Sequence, residues 1–271
     1  MTQVQEVAVM PPTAAVVRVR RGIDRYGVRG LAKEASLRPL RPVLAPIAAC
    51  RLKVLASHAK TVDELLDLVF SFDAFGITVQ PGQVRWEFCK FLEQVRDLRP
   101  RRVLEIGTAN GGSLLPISRL SAPDAHVLSV DLHHGEFGGG YPAWRIPLYK
   151  SFALPNQRLD LLRGDSHDSG TFERVRALLG GANLDLLFID GDHTFDGVRR
   201  DFETYGPLVR PGGLVAFHDI NPPNDDAPTD GVGCLVGEVP RYWREISPKW
   251  NSQEFVAPSA RGCFGIGLIR L

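Results

Sequence analysis

The sequence lacks any apolar run that approaches the ~20 residues needed to cross a bilayer. Its most apolar early stretch, residues 42–56, is interrupted by Pro46, Arg51 and Lys53, so we expect at most a helix that lies on a surface. The N-terminus also lacks the compact order of charged and then apolar residues that marks a signal peptide. These absences predict a cytoplasmic protein.

Cysteine is scarce and dispersed. The 271 residues contain four cysteines and no Cys-X-X-Cys pair, at positions Cys50, Cys89, Cys234 and Cys263. Such spacing favours free thiols in a reducing compartment over a disulfide framework or a zinc site.

Net charge is small but unevenly distributed. The formal charge of +1 gives no reason to expect nucleic-acid binding. Residues 1–60, however, carry eleven Lys and Arg against three Asp and Glu, a local +8. We therefore divide the chain into a basic, partly helical extension at 1–58 and a larger domain at 59–271. The extension could contact an anionic membrane or an acidic partner, or serve as a solvated or oligomer-forming arm, and a homo-oligomer is expected.

From residue 101 onward, apolar strands alternate with helical segments. Strands are predicted at 102–106, 126–131, 159–163, 184–190 and 213–219, followed by an antiparallel pair at 253–257 and 263–270. Helices are predicted at 82–98, 112–120, 144–153, 171–179, 195–207 and 232–246, and a capping box at Thr61 starts an earlier one. This alternation predicts an α/β fold with a doubly wound, mostly parallel sheet.

Acidic or histidine-containing clusters follow all five predicted parallel strands. The clusters are Glu105, Asp131, Asp165-Ser-His167, Asp190-Gly-Asp-His193 and His218-Asp219. In sheets of this kind, ligands bind at the carboxyl ends of the strands. Polar residues at all five ends therefore predict a binding and catalytic site at that edge.

The turn after the first of these strands indicates a nucleotide-type ligand. It reads Gly107-Thr-Ala-Asn-Gly-Gly112, and its glycines let the backbone approach a ligand beside the free N–H groups of a helix N-terminus. The turn lacks the second glycine of the GxGxxG motif, which allows a pyrophosphate to approach. Glu105 would repel a pyrophosphate but suits a cationic ligand. Asp131 is placed to accept hydrogen bonds from both ribose hydroxyls.

These motifs together resemble the class I S-adenosylmethionine-dependent methyltransferases from about residue 60 to the C-terminus. The specific part of the resemblance is the glycine turn combined with residues 188–198, residues 212–219 and the glycine-rich loop at 137–141, which predicts a lid. The chain is similar to a bacterial branch of this family whose fourth strand ends in Asp-Gly-Asp-His and whose fifth strand ends in His-Asp. That branch neighbours the cephalosporin-hydroxylase-like proteins and the metal-dependent sugar O-methyltransferases of macrolide pathways.

The resemblance implies seven strands (a Rossmann-like sheet with a reversed C-terminal hairpin) and a set of cofactor contacts. Glu105, Gly107 and Thr108 would hold the methionine part of S-adenosylmethionine, and Asp131 the ribose. Asp165 and Ser166 would surround the adenine, although Asp165 could instead cap the next helix. The complete expected cofactor-binding set is Glu105, Gly107, Thr108, Gly111, Ser113, Asp131, Leu132, Asp165, Ser166 and Asp190.

Asp190 and Asp219 end neighbouring strands of this topology, which lie ~4.8 Å apart. Two carboxylates at that separation repel each other unless a cation lies between them, so we expect Mg²⁺, or Mn²⁺ if His218 is also a ligand. Many relatives carry two acidic ligands on the fifth strand, whereas here His218 occupies one of those positions. His218 could equally donate a hydrogen bond from behind the ligands.

His193 is the candidate general base, because its ordinary pKa of about 6.5 suits proton abstraction near neutral pH. Macrolide sugar methyltransferases have a histidine at the matching position. The alternative for His193 is a helix cap or a bond to a backbone carbonyl, and His167 is expected either to line the pocket or to lie on the surface. Taken together, the five strand ends and the resemblance predict an enzyme that transfers the methyl group of S-adenosylmethionine to a hydroxyl of a sugar or glycosylated metabolite, with His193 and Asp190 as its catalytic residues.

Two other functions fit the same sheet. One is a nicotinamide-dependent oxidoreductase or epimerase, against which the missing glycine and Glu105 count. The other is a non-catalytic cofactor-binding scaffold that the basic arm recruits to a membrane or a multienzyme assembly.

Overall fold

The computed structural model describes residues 37–133, 140–223, 237–258 and 262–271. Its helices are α1 (Arg41–His58), α2 (Val62–Ser71), α3 (Arg85–Leu98), α4 (Leu114–Leu120), α5 (Ile146–Lys150), α6 (Ser169–Leu179), α7 (Phe195–Tyr205) and α8 (Val239–Ile246). Its strands are β1 (Asp73–Ala74), β2 (Ile77–Thr78), β3 (Arg102–Ile106), β4 (His126–Asp131), β5 (Arg158–Arg163), β6 (Leu184–Ile189), β7 (Val209–His218), β8 (Asn251–Phe255) and β9 (Ile266–Arg270). Most of the predicted lid and the first 36 residues lie outside the described residues.

Seven strands form one sheet in the order β5-β4-β3-β6-β7-β9-β8. The first five pair in parallel, and β9 pairs antiparallel with both β7 and β8. This confirms the predicted fold class, including the reversed C-terminal hairpin. The chain order reverses between β3 and β6, so their carboxyl ends form the switch point at which ligands bind in such sheets. The short hairpin of β1 and β2 was not predicted.

Helices cover both faces of the sheet. One core contains side chains from α1 to α5, and the other contains side chains from α6, α7 and α8. Alternate residues of each strand enter opposite cores, as the two-residue period of a strand requires. Within β3, Val103 lies in the first core and Leu104 in the second. The candidate Trp243 is buried in α8, as its amphipathic pattern predicts.

The basic arm contributes one continuous helix, α1, which runs through Pro46. One face of α1 packs into the core through Ala45, Ala48 and Leu52. Another face exposes apolar side chains, namely Leu40, Val43, Ile47 and Val54. Oligomerisation or membrane contact through the arm stays a prediction, as does the boundary at residue 58.

Two further sequence expectations meet the structure directly. Thr61 and Glu64 form the predicted capping box, in which each side chain bonds the backbone N–H of the other. Cys50 and Cys89 are free thiols, but Cys263 is disulfide-bonded, so the expectation of free thiols is wrong for Cys263. None of the described helices has the length and apolar character needed to span a membrane.

Candidate active site

The glycine turn sits directly against the end of β6. Gly107 has φ +89°, and a Cβ built on it would overlap the carbonyl oxygen of Asp190. The N–H of Asp190 in turn donates to the carbonyl of Ile106 over 2.8 Å. Only glycine permits both this φ and this close approach. The glycine turn and the end of β6, which are 83 residues apart in the sequence, therefore pack directly against each other.

Glu105 is a fully buried carboxylate at the floor of this turn. Its Oε2 accepts a hydrogen bond of 3.0 Å from the Thr108 hydroxyl, whereas its Oε1 is buried with no hydrogen-bond partner. Burial raises the pKa of Glu105 to about 8, although the hydroxyls of Ser113 and Thr108 oppose the shift. Asp190 and Asp131 add to the increase through charge repulsion. A cationic group at this position would relieve all of these costs.

Asp131 closes the next strand and holds two backbone segments together. Its Oδ2 accepts from the N–H of Ala109 over 2.8 Å, and its Oδ1 accepts from the N–H of Gly140 over 3.0 Å. Burial raises its pKa to about 6, against the effect of these hydrogen bonds. Leu132, the next residue, is 44% exposed, which leaves an apolar side chain uncovered beside the carboxylate.

Arg145 and Tyr149 hold the backbone of the glycine turn in place through hydrogen bonds. The Tyr149 hydroxyl donates to the carbonyl of Ala109 over 2.6 Å, and Arg145 Nε donates to that hydroxyl over 2.8 Å. Arg145 also donates to the carbonyls of Asn110 and Thr78. Gly111 lies against the ring of Tyr149, with no room for a side chain. These contacts fix the backbone whose N–H groups face the site.

The polar residues that follow β5 make different contacts. Asp168, not Asp165, caps α6 by accepting from the N–H of Thr171 over 3.0 Å. Asp165 instead accepts from the N–H of His167 over 2.8 Å, and the Ser166 carbonyl accepts from the Tyr205 hydroxyl. The alternative role of Asp165 as the helix cap is thus not seen, and its adenine-binding role stays a prediction.

His167 neither lies on the surface nor points freely into the pocket. Its Nε2 lies 3.2 Å from Oδ1 of Asp201 in α7, whose side chain is fully buried. The contact with Asp201 raises the pKa of His167 despite partial desolvation. The pair fixes the loop after β5 against α7.

We predict that His167→Ala lowers the free energy of unfolding by about 3 kcal/mol, because it leaves a buried carboxylate without its compensating charge. A raised histidine pKa stabilises the fold fully below the unfolded pKa of about 6.5, and this contribution fades as pH rises through the folded value. Urea unfolding at pH 6 and pH 9 should therefore show a larger difference between wild type and variant at pH 6.

The control is His126→Ala, which removes a more exposed pair with Asp160. It should cost about 1 kcal/mol or less. A His167→Ala loss that does not change with pH would contradict the ion-pair explanation.

Four titratable side chains meet at the ends of β6 and β7. His218 Nδ1 lies 3.0 Å from Asp190 Oδ1 and 3.3 Å from Asp219 Oδ1. His193 approaches the same two carboxylates from another side, with Nδ1 3.3 Å from Asp219 Oδ2 and Nε2 3.7 Å from Asp190 Oδ1. Thr194 caps α7, so His193 is not the helix cap. Asp219 has φ +62°, a strained conformation that marks functional sites.

The charges in this cluster are strongly interdependent. Burial alone would lower the pKa of His218, but Asp190 and Asp219 raise it to about 9. In the same way, burial opposes ionisation of Asp190, yet the two histidines hold its pKa below the usual range. Burial raises the pKa of Asp219. The carboxylate of Asp190 and the imidazole of His218 are therefore electrostatically coupled in the folded protein.

The donor set fits a divalent cation. Ligand atoms of Asp190, His193 and Asp219 all lie within 4.8 Å of one another, and His218 Nδ1 is as close to both carboxylates. Carboxylate oxygens and imidazole nitrogen suit Mg²⁺ or Mn²⁺. The structure therefore brings the predicted metal residues Asp190, His218 and Asp219 together, and His193 lies at the same two carboxylates.

Two buried residues of this region were missed by the sequence reasoning. Gln83 donates from Nε2 to Asp190 Oδ2 over 2.7 Å. Glu87, in α3, accepts from the N–H groups of Ala257 and Gly265, each over 2.9 Å. Burial raises the pKa of Glu87, although those hydrogen bonds oppose the shift. Neither residue belongs to a recognisable motif, because their partners lie 107 or more positions away.

Comparison with known proteins agrees with the resemblance. Residues 104–220 match a family model described as a methyltransferase domain. Among curated relatives, mycinamicin VI 2''-O-methyltransferase of Micromonospora griseorubida is 26% identical over 51% of this chain and 32% of its own length. Demethylmacrocin O-methyltransferase of Streptomyces fradiae is 28% identical over 36% of this chain and 28% of its own length. The chain thus spans less than a third of these relatives.

An O-methyltransferase from Bacillus cereus, solved with S-adenosylhomocysteine, covers 79% of this chain and 93% of its own, with 19% identity and a TM-score of 0.49. The MycE methyltransferase of mycinamycin biosynthesis, solved with Mg, S-adenosylhomocysteine and mycinamycin VI, covers 79% of this chain and 55% of its own, with 20% identity and a TM-score of 0.48. The strand order of the chain itself, rather than these similarities, defines the fold.

Proposed function

We propose that this chain, whose residues 104–220 match a family model described as a methyltransferase domain, transfers the methyl group of S-adenosylmethionine to a hydroxyl oxygen. The observation that carries the proposal is the buried acidic end of the sheet. Glu105 and Asp131 both have raised pKa values there, and Asp190 adjoins them. S-adenosylmethionine carries an ammonium and a sulfonium group and no phosphate. Its positive groups would offset the negative charge of these carboxylates, whereas a pyrophosphate would add to that negative charge.

Each part of the cofactor has a partner of suitable chemistry. The amino-acid part would lie at the glycine turn, near the unpartnered Oε1 of Glu105. Asp131 would accept from the ribose hydroxyls, since a carboxylate retains acceptor capacity beyond the two N–H groups that it holds. The exposed side chain of Leu132 would cover the adenine. The roles of Asp165 and Ser166 rest on the resemblance alone.

Calorimetry with S-adenosylhomocysteine tests the cofactor assignment. Wild type should bind it, and Asp131→Ala should bind about 100-fold more weakly, because two hydrogen bonds to a charged acceptor are lost. Asp124→Ala, which removes an exposed carboxylate paired with Arg101, serves as the control and should leave the affinity unchanged. Failure of wild type to bind would overturn the proposal.

The reaction requires a hydroxyl to become a nucleophile at neutral pH. A divalent ion held by Asp190, Asp219 and the imidazole of His218 would, when bound, stabilise the alkoxide form of that hydroxyl. The protein's own part is to remove the proton and to align the oxygen with the methyl group. We assign the first task to His193; this is supported by the position of its imidazole at the carboxylate cluster, 3.3 Å from Asp219.

Removal of the ion tests the metal assignment. With a macrolide glycoside such as mycinamicin VI as trial acceptor, EDTA or Asp219→Ala should lower methyl transfer by at least about 100-fold, since Lewis-acid stabilisation contributes several kcal/mol. Calorimetric titration with Mn²⁺ should show binding by wild type and none by Asp219→Ala. Asp196→Ala, which removes an exposed carboxylate, should change neither result. Methyl transfer that survives both treatments would indicate a metal-free mechanism.

A glycosylated metabolite is the acceptor class that we propose. Two curated relatives are macrolide methyltransferases by name, and a sugar hydroxyl needs the activation that this cluster offers. Mass spectrometry of glycosides incubated with isotopically labelled S-adenosylmethionine would identify the acceptor. Cofactor binding without transfer to any glycoside would favour the scaffold alternative. The oxidoreductase alternative is disfavoured, because Glu105 is fully buried where a pyrophosphate would have to bind.

A further inference from the structure

Gln83 lies in the short segment that joins β2 to α3. This segment packs over the glycine turn, because a Cβ built on Gly112 would overlap the backbone of Pro81. Gln83 itself is 6% exposed. It does not cap α3, whose N-cap is Val84 and has no side-chain hydrogen bond. A buried amide that caps no helix requires another explanation.

The nitrogen and the oxygen of the Gln83 side-chain amide differ in their hydrogen bonding. Its Nε2 donates to Asp190 Oδ2 over 2.7 Å, which fixes the carboxylate oxygen that His218 does not bind. Its Oε1 is buried without a hydrogen-bond partner. Burying a carbonyl oxygen without a donor destabilises the ligand-free protein. The arrangement is therefore complete only when a donor arrives.

The surroundings define the chemistry of that donor. Glu105 Oε1 is a second buried acceptor with no hydrogen-bond partner, and its carboxylate is close enough to Asp190 for their charges to interact. Gln83 and Glu105 thus each carry a buried acceptor without a partner, and each interacts with Asp190 at the end of β6. A primary ammonium group carries three N–H donors and a positive charge, which matches several acceptors of partly negative character.

We propose that Gln83 binds the ammonium group of the methyl donor through Oε1 while its amide N–H holds Asp190 in place. This inference rests on the proposed function, because it takes the ammonium from S-adenosylmethionine. One side chain thereby joins cofactor binding to the carboxylate cluster that activates the acceptor. Cofactor binding then supplies the missing partner of Gln83.

The test compares two ligands that differ in the amino-acid part. S-adenosylhomocysteine carries the ammonium, whereas 5'-methylthioadenosine has the same nucleoside and lacks the amino-acid part. Gln83→Leu, of similar size, should bind S-adenosylhomocysteine at least about 10-fold more weakly and 5'-methylthioadenosine within about threefold of wild type. Calorimetry of wild type and Gln83→Leu with each ligand measures these differences in affinity directly.

Gln80→Leu makes the same chemical change three residues earlier in the same segment and should alter neither affinity. The melting temperature of ligand-free Gln83→Leu should be no more than a few degrees below that of wild type. The substitution removes one hydrogen bond, but it also removes an unpartnered buried oxygen. Equal weakening of both ligands by Gln83→Leu would overturn the role assigned to Gln83 and leave the proposed function intact. Failure of wild type to bind S-adenosylhomocysteine would overturn both.

Discussion

Replacement of His193 with alanine is expected to lower the rate of methyl transfer by about 10²- to 10⁴-fold, the usual contribution of a positioned general base. The imidazole lies 3.3 Å from Asp219 and 3.7 Å from Asp190, at the carboxylates that would hold the ion. No other described residue places an imidazole there except His218, which is more deeply buried than His193. Initial rates with labelled S-adenosylmethionine and a macrolide glycoside measure the loss.

Two binding measurements separate a base from a ligand or a structural residue. His193→Ala should bind S-adenosylhomocysteine within about threefold of wild type, and it should keep its affinity for Mn²⁺. His218→Ala, in contrast, should lose Mn²⁺ affinity. His126→Ala, far from the cluster at the start of β4, should keep full activity. Loss of Mn²⁺ binding in His193→Ala would make this histidine a metal ligand and contradict its role as the base.

Substitution of Gly107 by alanine is expected to abolish measurable cofactor binding, which means an affinity loss greater than about 100-fold. Two costs combine here: a positive φ that disfavours any residue with a Cβ, and an overlap with the carbonyl oxygen of Asp190. The overlap involves backbone on both sides, so no rotation of a side chain can relieve it. Relief requires β3 and β6 to separate at their carboxyl ends, which displaces Glu105 and Asp190 together.

Gly180→Ala provides a matched control for the backbone part of this effect. Gly180 ends α6 with φ +60°, and nothing lies within 4 Å of a Cβ built on it. This substitution should cost about 1 kcal/mol of stability through backbone strain alone, and should leave S-adenosylhomocysteine binding unchanged. Similar effects of the two substitutions on cofactor affinity would refute the proposed collision with Asp190. Circular dichroism and calorimetry on both variants provide the comparison.

The sequence by itself determined the order of the elements, and the reason is local. Alternating apolar strands and amphipathic helices specify a parallel sheet with two covered faces, and each parallel strand ends within two residues of the acidic or histidine residue chosen from its pattern. The glycine turn and the capping box at Thr61 are equally local, because a turn conformation or a helix start depends on a few neighbouring residues. The antiparallel C-terminal pair was also predicted from the pattern, and the resemblance to methyltransferases added the cofactor roles.

Local patterns failed where a residue's role depends on a distant partner. His167 read as a pocket or surface residue, because its partner Asp201 lies one helix further along the chain. In the same way, the spacing of the cysteines favoured free thiols, whereas Cys263 is disulfide-bonded.

Tertiary structure alone decided how the site is assembled. It placed Gln83 on Asp190 and tied Glu87 to the C-terminal hairpin, across 107 and 170 or more residues. It also set both His193 and His218 against the same two carboxylates, which no spacing along the chain could specify. Burial explains why this matters: desolvation gives each contact its strength and makes each missing partner costly. The sequence therefore determined which residues reach the edge of the sheet, and the fold decided which of them act on one another.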